Sequence, residues 1–350
     1  MRIGVDSAKF PGVNDIPVAT LLERAADIGL EGVFFRSLLD LSPTLDAGEL
    51  RDVVDRAAEL GLRIEAGIGK VNPFSTPEAP HIRALGGGDY LLAQTRMIEA
   101  AAEVGIHELW SALSNYQFKL AALGLSAFDR FRTDVDWPVQ LAATATFLHD
   151  LAPVLRAHDT HLNIETHEEI TSFELVRLVE EVGPDVLGIT FDTANVFVRG
   201  ESVVAAARRV APYVRATHVR DVGLWRIPGG LARFLLPVGE GVVDWPAVLS
   251  ALAPAAPMLS IEGIISGRAE MPIPFSDERW RPGHPDMVDA ERDELFALAA
   301  DYEHRAGESH APDLETLRGP VAPGEPLEFL ERSAAALRRL RTQLIESNKE

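Results

Sequence analysis

Short apolar runs alternate along the chain with longer stretches in which apolar residues recur every three or four positions. Runs of this length are typical of buried strands, whereas the longer periodic stretches have the pattern of amphipathic helices. Eight runs are predicted to be strands: Arg2–Ser7, Gly32–Arg36, Arg63–Ile68, Glu108–Ala112, His161–His167, Leu187–Asn195, Ala216–Asp221 and Met258–Gly263.

Helical periodicity fills the segments between these runs, and several of the segments stop at a glycine, as in ADIGL, AELGL and EEVGP. Glycine closes a helix because it adopts the left-handed backbone conformation at little cost. The clearest predicted helices are Val18–Gly29, Glu49–Gly61, Phe173–Gly183, Val203–Val214 and Trp245–Ala253.

Strands that alternate with helices form a parallel sheet. Eight such units within about 260 residues fit a closed (β/α)8 barrel better than an open doubly wound sheet. No Gly-x-Gly-x-x-Gly follows the first strand and no phosphate-loop lysine motif is present, which disfavours a nucleotide-binding fold. We predict an α/β protein with a barrel over residues 1–263, inside a single domain of residues 1–350.

Two segments exceed a minimal barrel. Asn115–Pro138 is a loop insertion after the fourth strand with five aromatic residues, and residues 264–350 form a long C-terminal extension. The extension begins with a proline-rich loop, Ile264–Met287, and continues into predicted helices near Asp289–Arg305 and Pro326–Ser347. Long loops at a barrel mouth are usually lids or contact surfaces, although the aromatic insertion is equally consistent with ordinary packing. The aromatic residues of the insertion are Tyr116, Phe118, Phe128, Phe131 and Trp137.

The composition narrows the class of function. The 53 acidic residues outnumber the 33 lysines and arginines and give a net charge of −20, which disfavours nucleic acid or a membrane surface as a partner. The N-terminus lacks the pattern of a signal peptide, so we expect a cytoplasmic protein. The chain has no cysteine, so that a metal site would use His, Asp and Glu, a set that suits Mg²⁺ or Mn²⁺ and permits Zn²⁺, Co²⁺ or Fe²⁺.

Polar residues stand at the ends of four consecutive predicted strands. In a parallel barrel these carboxyl ends converge on one mouth, where the chemistry occurs. One acidic residue or one histidine at such a position is more often a helix cap or a core residue than a ligand. Four of them at matched positions would be a costly cluster of buried charge without a cation, which favours a metal site. The four residues are Glu165, Asp192, His218 and Glu262.

The contexts of these residues, NIETHE, GITFDTAN, THVRD and SIEG, resemble the sugar phosphate isomerase/epimerase superfamily with its xylose-isomerase-like TIM barrel, over residues 1–263. The resemblance implies that the quartet binds one divalent ion, Mn²⁺ or Mg²⁺. It also implies that Glu165 and Glu262 act as acid and base next to a substrate carbonyl. His167 lies two residues after Glu165, so on a strand it shares its face and is either a further acid/base group or a hydrogen-bond partner of a ligand.

The sequence departs from the ketose epimerases of this superfamily. Asn195 stands three residues after Asp192, where histidine is common, and Leu224 stands six residues after His218, where arginine is expected. ETHEE, FSDERWRPGHPDM and the long tail resemble members that act on oxidised sugars, the C-glycoside deglycosidase α-subunits and the 3-oxo-isoapionate decarboxylases. The first hypothesis is therefore a carbon–carbon lyase that acts on a 3-keto sugar through a metal-stabilised enediolate.

Three alternatives remain open at this point. They are a keto-sugar isomerase or epimerase, a sugar-binding barrel without catalysis, and an apurinic endonuclease, which the acidic charge disfavours. A second subunit or a homo-oligomer is also possible. Further candidates for substrate contact are Asn195, Arg36, Trp110, His284, Glu65 and Lys70.

Overall fold

Eight parallel strands close into a barrel in the computed structural model of the chain, which describes residues 1–76, 79–114, 129–132 and 134–347. The first strand pairs with the second on one side and with the last barrel strand on the other, so the barrel has no free edge. This confirms the predicted (β/α)8 TIM barrel. Its strands are β1 Ile3–Asp6, β2 Gly32–Phe35, β3 Arg63–Gly67, β4 Glu108–Ser111, β5 His161–Glu165, β6 Leu187–Asp192, β7 Val214–Val219 and β10 Met258–Ile261.

Helices surround the barrel and pack their apolar faces on it. Their starts follow local capping chemistry. Asp46 accepts hydrogen bonds from the backbone N–H groups of Gly48 and Glu49, and Thr171 forms a capping box with Glu174. The helices between β1 and β10 are Val18–Asp27, Ala47–Glu59, Pro80–Leu85, Tyr90–Glu103, Trp137–Ala157, Ser172–Val182, Asn195–Val198, Val203–Val210 and Trp245–Leu252.

A second, three-stranded sheet lies outside the barrel and was not predicted. It consists of β8 (Asp221–Ile227), β9 (Gly230–Leu236) and β11 (Met271–Ile273), all antiparallel. The prediction of an irregular loop over Ile264–Met287 was therefore wrong at β11. Proline is tolerated there because β11 is an edge strand, where a missing N–H breaks no ladder.

The C-terminal extension is helical, as predicted, with helices Asp289–Gly307 and Glu325–Ser347 and the short helices Trp280–Gly283 and Leu314–Arg318. The last long helix is tied to the start of the chain. Arg338 donates a hydrogen bond to the Gly29 carbonyl (2.7 Å), and Arg341 donates one to the Met1 carbonyl (3.0 Å). Within the described residues, no helix is both long and apolar enough to span a bilayer.

Most of the predicted insertion, including Tyr116, Phe118 and Phe128, lies outside the described residues. Its last part is described. Trp137 is buried at the start of its helix and donates from Nε1 to Glu174 Oε1 (3.1 Å), and Phe131 stacks on Trp280 with ring centres 6.5 Å apart. These two aromatic side chains pack against the fold.

Candidate metal centre

Four ligand-type side chains meet at the carboxyl ends of neighbouring barrel strands. Each offers one oxygen or nitrogen atom, and these four atoms all lie within 4.8 Å of one another. All four residues are buried. They are Glu165, Asp192, His218 and Glu262, the quartet named from the sequence.

The strand register explains why they meet. Asp192 is paired with His218 across β6 and β7, and Glu165 is paired with Thr190, two residues before Asp192. His218 is also paired with Ser260, two residues before Glu262. Because side chains two residues apart on a strand share a face, the four groups all point into the barrel mouth.

The geometry of His218 fits a cation between these groups. Its Nδ1 lies 3.2 Å from Glu165 Oε1 and 3.8 Å from Glu262 Oε2, yet within the described structure this buried nitrogen makes no hydrogen bond. Three carboxylates and one imidazole are ligands that a divalent metal ion accepts. The cluster could therefore hold a divalent metal ion.

The charges of the cluster shift the acidities of its members. Burial lowers the pKa of His218, but the carboxylates of Glu165 and Glu262 outweigh it and raise the pKa to about 9. Burial raises the pKa of Asp192 to about 6, although Arg220 opposes the change. For Glu165, His218 outweighs burial and lowers the pKa to about 2.

Two arginines hold the outer oxygens of the cluster. Arg220 donates from Nη2 to Asp192 Oδ2 (2.6 Å), and its Nη1 lies 3.0 Å from Glu262 Oε1. Arg36 donates from Nη2 to Asp6 Oδ2 (2.6 Å) and to Glu262 Oε1 (2.8 Å). Arg36, which the sequence analysis named as a candidate substrate contact, thus lies at the mouth. Its described hydrogen bonds are to the carboxylates of Asp6 and Glu262.

Asp192 also has a local structural role. Its Oδ1 accepts hydrogen bonds from the backbone N–H groups of Ala194 (2.7 Å) and Asn195 (2.9 Å), which orders the turn after β6. Asp192 is not the N-cap of the helix Asn195–Val198, whose N-cap is Ala194, but it combines this turn with its place in the cluster. A carboxylate has enough lone pairs for both uses.

Two residues that the sequence analysis named as candidate substrate contacts donate hydrogen bonds to Glu165. Trp110 donates from Nε1 to Glu165 Oε2 (3.0 Å), and Asn195 donates from Nδ2 to Glu165 Oε1 (3.2 Å). Asn195 is fully buried behind the cluster, whereas Trp110 also lines the cavity above it. Both side chains fix the orientation of the Glu165 carboxylate.

His167 reaches the mouth together with Glu165. Its Nε2 lies 2.8 Å from Glu168 Oε2, and its Nδ1 contacts Glu169 Oε2. Burial lowers the pKa of His167, but Glu168 and Glu169 outweigh it and raise the pKa well above its usual value. The imidazole therefore carries a proton at neutral pH.

The structure corrects the prediction for His284. This residue is 1% exposed, its Nε2 accepts from Arg199 Nη1 (2.9 Å), and its Nδ1 donates to the Trp280 carbonyl (2.7 Å). His284 is buried beside Phe131 and Trp280 and is not among the described residues that line the cavity at the mouth. It packs on the Trp280 ring with centres 4.1 Å apart.

Glu65 is likewise no substrate contact, because it is buried inside the barrel below His218, in a void lined also by Phe34 and Asn163. Lys70 does line the cavity, as the sequence suggested.

A cavity of about 420 Å³ opens above the cluster. Sequence reasoning missed several of its wall residues. Arg220 had a signal, since it lies two residues after His218. For Arg233 the signal was the Pro228–Gly229 turn of the β8–β9 hairpin, which the sequence analysis did not use. The walls are formed by Lys9, Arg36, Lys70, Trp110, Glu165, His167, Glu168, His218, Arg220, Arg233, Leu235, Glu262, Ala269, Glu270 and Met271.

Comparison with known sequences supports the resemblance. A family model described as xylose isomerase-like TIM barrel matches residues 22–272. The 3-oxo-isoapionate decarboxylase of Pectobacterium atrosepticum is 23% identical over 250 residues, which cover 71% of this chain and 76% of that protein. YihM of Escherichia coli K12 is 35% identical over 89 residues, 25% of this chain, and the match spans only 27% of YihM.

Solved structures share the fold at low identity. D-psicose 3-epimerase of Clostridium cellulolyticum H10 has a TM-score of 0.58 and 16% identity, with 87% of this chain and 98% of that one covered. A xylose isomerase-like TIM barrel protein of Mycobacterium smegmatis in complex with magnesium has a TM-score of 0.56 and 16% identity, with coverages of 86% and 97%. The 3-keto-D-glucoside 4-epimerase of E. coli has a TM-score of 0.52 and 16% identity, with coverages of 86% and 99%.

Proposed function

The chain belongs to the xylose isomerase-like TIM barrel family, and from this premise we propose that it is a divalent-metal-dependent enzyme that acts on a keto-sugar. The observation that carries the proposal is the buried quartet of three carboxylates and one histidine at the barrel mouth, with His218 Nδ1 3.2 Å from Glu165 Oε1 and 3.8 Å from Glu262 Oε2. The cavity above the quartet is within the size range of small-molecule sites.

Glu165, Asp192, His218 and Glu262 would hold the metal ion, with Mn²⁺ or Mg²⁺ as the first candidates because three of the four ligands are carboxylates. A divalent ion there would stabilise negative charge that develops on neighbouring substrate oxygens. The magnesium complex of the M. smegmatis protein with the same fold is consistent with this assignment.

The acid and base roles follow from the charges of the site. Although burial opposes it, Arg220 and Arg36 lower the pKa of Glu262 well below its usual value, so Glu262 is a carboxylate at neutral pH. Glu262 and Glu165 are therefore the candidates to accept a proton from the carbon next to the substrate carbonyl. Protonated His167, which lines the same cavity, is the candidate to return one.

We favour a carbon–carbon lyase that acts on an oxidised, 3-keto sugar. In a decarboxylation the bond to the carboxylate breaks, CO₂ leaves, and the electron pair moves into the adjacent carbonyl to give an enediolate. Proton transfer to carbon, for which His167 is the candidate donor, completes the product. The match to a 3-oxo-isoapionate decarboxylase supports this choice, and C-glycoside deglycosidation is a related outcome.

A keto-sugar isomerase or epimerase is the second candidate. It is favoured by two glutamates, Glu165 and Glu262, that both belong to the cluster and both line the cavity, since an epimerase needs one group to remove a proton and another to return it. The 3-keto-D-glucoside 4-epimerase with the same fold supports this alternative.

One experiment separates the candidates. Protein supplied with Mn²⁺ or Mg²⁺ would be incubated in heavy water with 3-oxo sugar acids, 3-oxo-glycosides and ketohexoses, with and without candidate partner subunits, and followed by NMR. A lyase yields a product that has lost a carbon fragment and gained deuterium, whereas an epimerase yields a deuterated stereoisomer. Chelator-treated protein is the control. Failure of every substrate to react or exchange, on metal-loaded protein, would contradict the proposal.

A further inference from the structure

The cavity wall carries both signs of charge, and its cations outnumber its carboxylates although the chain is strongly acidic. Five of the 33 lysines and arginines line this one cavity, beside four glutamates, while the chain as a whole carries a net charge of −20. The five residues are Lys9, Arg36, Lys70, Arg220 and Arg233.

Three of these cations are paired with carboxylates of the site. Arg36 and Arg220 bond to Glu262, and Lys9 Nζ lies 3.9 Å from the same carboxylate. Lys70 and Arg233 differ, because among the described residues neither has a carboxylate oxygen within 4.0 Å.

Lys70 is held at the cavity by its backbone. Its carbonyl accepts hydrogen bonds from Tyr90 Oη (2.8 Å) and Gln94 Nε2 (3.0 Å). Its ammonium group lies 4.5 Å from the centre of the Trp110 ring, and Trp110 in turn bonds to Glu165. Lys70 is thus half-buried and lines the cavity one side chain away from the metal cluster.

Arg233 is fixed by the second sheet. It lies on β9 between β8 and β11, paired with Leu224 and Met271. Its partners are neutral: the Ala269 carbonyl (3.3 Å), Asn195 Oδ1 (3.5 Å) and Met271 Sδ (2.9 Å). Its Nε, also buried, has no acceptor within the described part of the chain. Glu168, Asp192 and Glu262 act on this cation only from a distance, and burial of a cation without a directly paired carboxylate is costly. An anion in the cavity would offset that cost.

Glu165 and Glu262 belong to the metal cluster, and the other two acidic residues of the wall contact cations other than Lys70 and Arg233. Glu168 contacts His167, and Glu270 accepts from Arg318 Nη2 (2.6 Å). Both carboxylates are thus matched by other cations. A metal ion in the cluster would add two further positive charges near the cavity.

We propose that Lys70 and Arg233 form an anion-recognition site, and that the substrate is an anionic keto-sugar, such as a sugar acid, rather than a neutral sugar. Lys70 contacts the anionic group, and Arg233 contributes a fixed positive charge behind the wall. This inference rests on the proposed function for the keto-sugar, while the anion preference rests on the cavity alone.

The test is isothermal titration calorimetry of metal-supplied protein with three inert probes: D-sorbitol, D-gluconate and D-sorbitol 6-phosphate. The first two share a carbon chain and differ at C1, where gluconate carries a carboxylate in place of sorbitol's hydroxymethyl group, and the third carries a phosphate. We expect at least one anion to bind about 10-fold or more tightly than sorbitol, as a charge-assisted contact provides. The probe that binds tightly identifies the anion as carboxylate or phosphate.

Variants assign the preference to its residues. Lys70→Met and Arg233→Met should each weaken anion binding by about 10-fold and change sorbitol binding little, while Lys70→Arg should keep most of the preference. The metal ion's contribution to the binding of a given probe cancels between wild-type protein and variants, because all of them carry the ion. Arg226→Met is the matched control, since Arg226 is an exposed arginine on the same hairpin, paired with Glu303 outside the cavity.

Two results would overturn the proposal: wild-type protein that binds both anions no more tightly than sorbitol, or a Lys70→Met variant that weakens sorbitol and the anions equally. Both differ from a failure of the proposed function. That failure would appear as absent deuterium exchange with every keto-sugar, while the binding preference for anions persists.

Discussion

At the scale of single residues, the site consists of carboxylates whose orientation is fixed before any ligand binds. Glu165 accepts from Trp110 and Asn195, Asp192 accepts from the turn that follows it, and Glu262 is held by Arg36 and Arg220. Hydrogen bonds of this kind orient metal ligands and tune their affinity. The orientation of the quartet is thus set by its neighbours as well as by its own strands.

Removing the imidazole should remove the metal. We expect His218→Ala to lower metal affinity by more than about 100-fold, because the loss of even a hydrogen-bond partner of a ligand costs 10–100-fold. Elemental analysis of the protein after gel filtration measures the loss of metal, and circular dichroism checks that the variant is folded. His310→Ala, an exposed histidine on the tail, is the control. Full metal occupancy in His218→Ala would show that His218 is not a ligand.

Glu262→Gln separates a base from a structural ligand. The amide keeps an oxygen for the metal but cannot accept a proton from carbon, so we expect reduced but measurable metal content and loss of most deuterium exchange, about 100-fold or more. Glu240→Gln, outside the cavity, is the matched control. Loss of metal with normal exchange in the remaining loaded fraction would argue against a base role.

At the scale of elements, the outer hairpin and the tail decide what surrounds the site. β9 brings Arg233 to the cavity, and Met271 of β11 lines it as well. The turn around Trp280, by contrast, packs inward. Trp280 is 1% exposed and lies against Phe275, Phe131 and His284.

Removal of the Trp280 side chain should therefore affect stability rather than catalysis. We expect Trp280→Ala to lower the free energy of unfolding by about 3–5 kcal/mol, the usual cost of emptying a buried aromatic site. Activity per folded molecule should change little. Urea denaturation and turnover on the same preparation measure both, with Arg281→Ala, an exposed residue of the same turn, as the control. A stable but inactive variant would instead assign this turn to the site.

At the scale of the whole molecule, the barrel tolerates ionisable groups in its interior, and these make its stability depend on pH. Glu65 is buried below His218, with Arg63 Nε 3.3 Å from its Oε1. Burial raises the pKa of Glu65 from 4.5 to about 7. The native state therefore retains a proton that the unfolded chain loses between these pH values.

Glu65→Gln tests this pH dependence. Because the native pKa is the higher one, the wild-type protein loses stability as pH rises from about 4.5 to about 7, and a glutamine cannot ionise. We compare the free energy of unfolding of the variant with that of the wild type at each pH. This difference should favour the variant by roughly 2–4 kcal/mol more at pH 8 than at pH 4.5. Urea denaturation of both proteins at the two pH values measures the difference, in which other titrating groups cancel. An equal difference at both pH values would contradict the raised pKa.

The sequence by itself determined the barrel and the position of the quartet. A strand alternates its faces with a period of two and a parallel barrel gathers its strand ends on one rim, so Glu165, Asp192, His218 and Glu262 could be placed together from the chain alone. Glycine stops likewise located several helix ends to within a few residues. These features depend on local pattern and on one simple topology.

Only the tertiary structure decided the surroundings of that rim. The hairpin of β8 and β9 is local, but β9 also pairs antiparallel with β11, where Arg233 lies opposite Met271, 38 residues further along the chain. Pairing of this second kind depends on distant partners rather than on local pattern. It brought Arg233 to the cavity, while packing against Arg199 and Trp280 kept His284 away from it. Which charged side chains face a substrate is fixed by such long-range contacts, because burial and pairing are properties of neighbours in space.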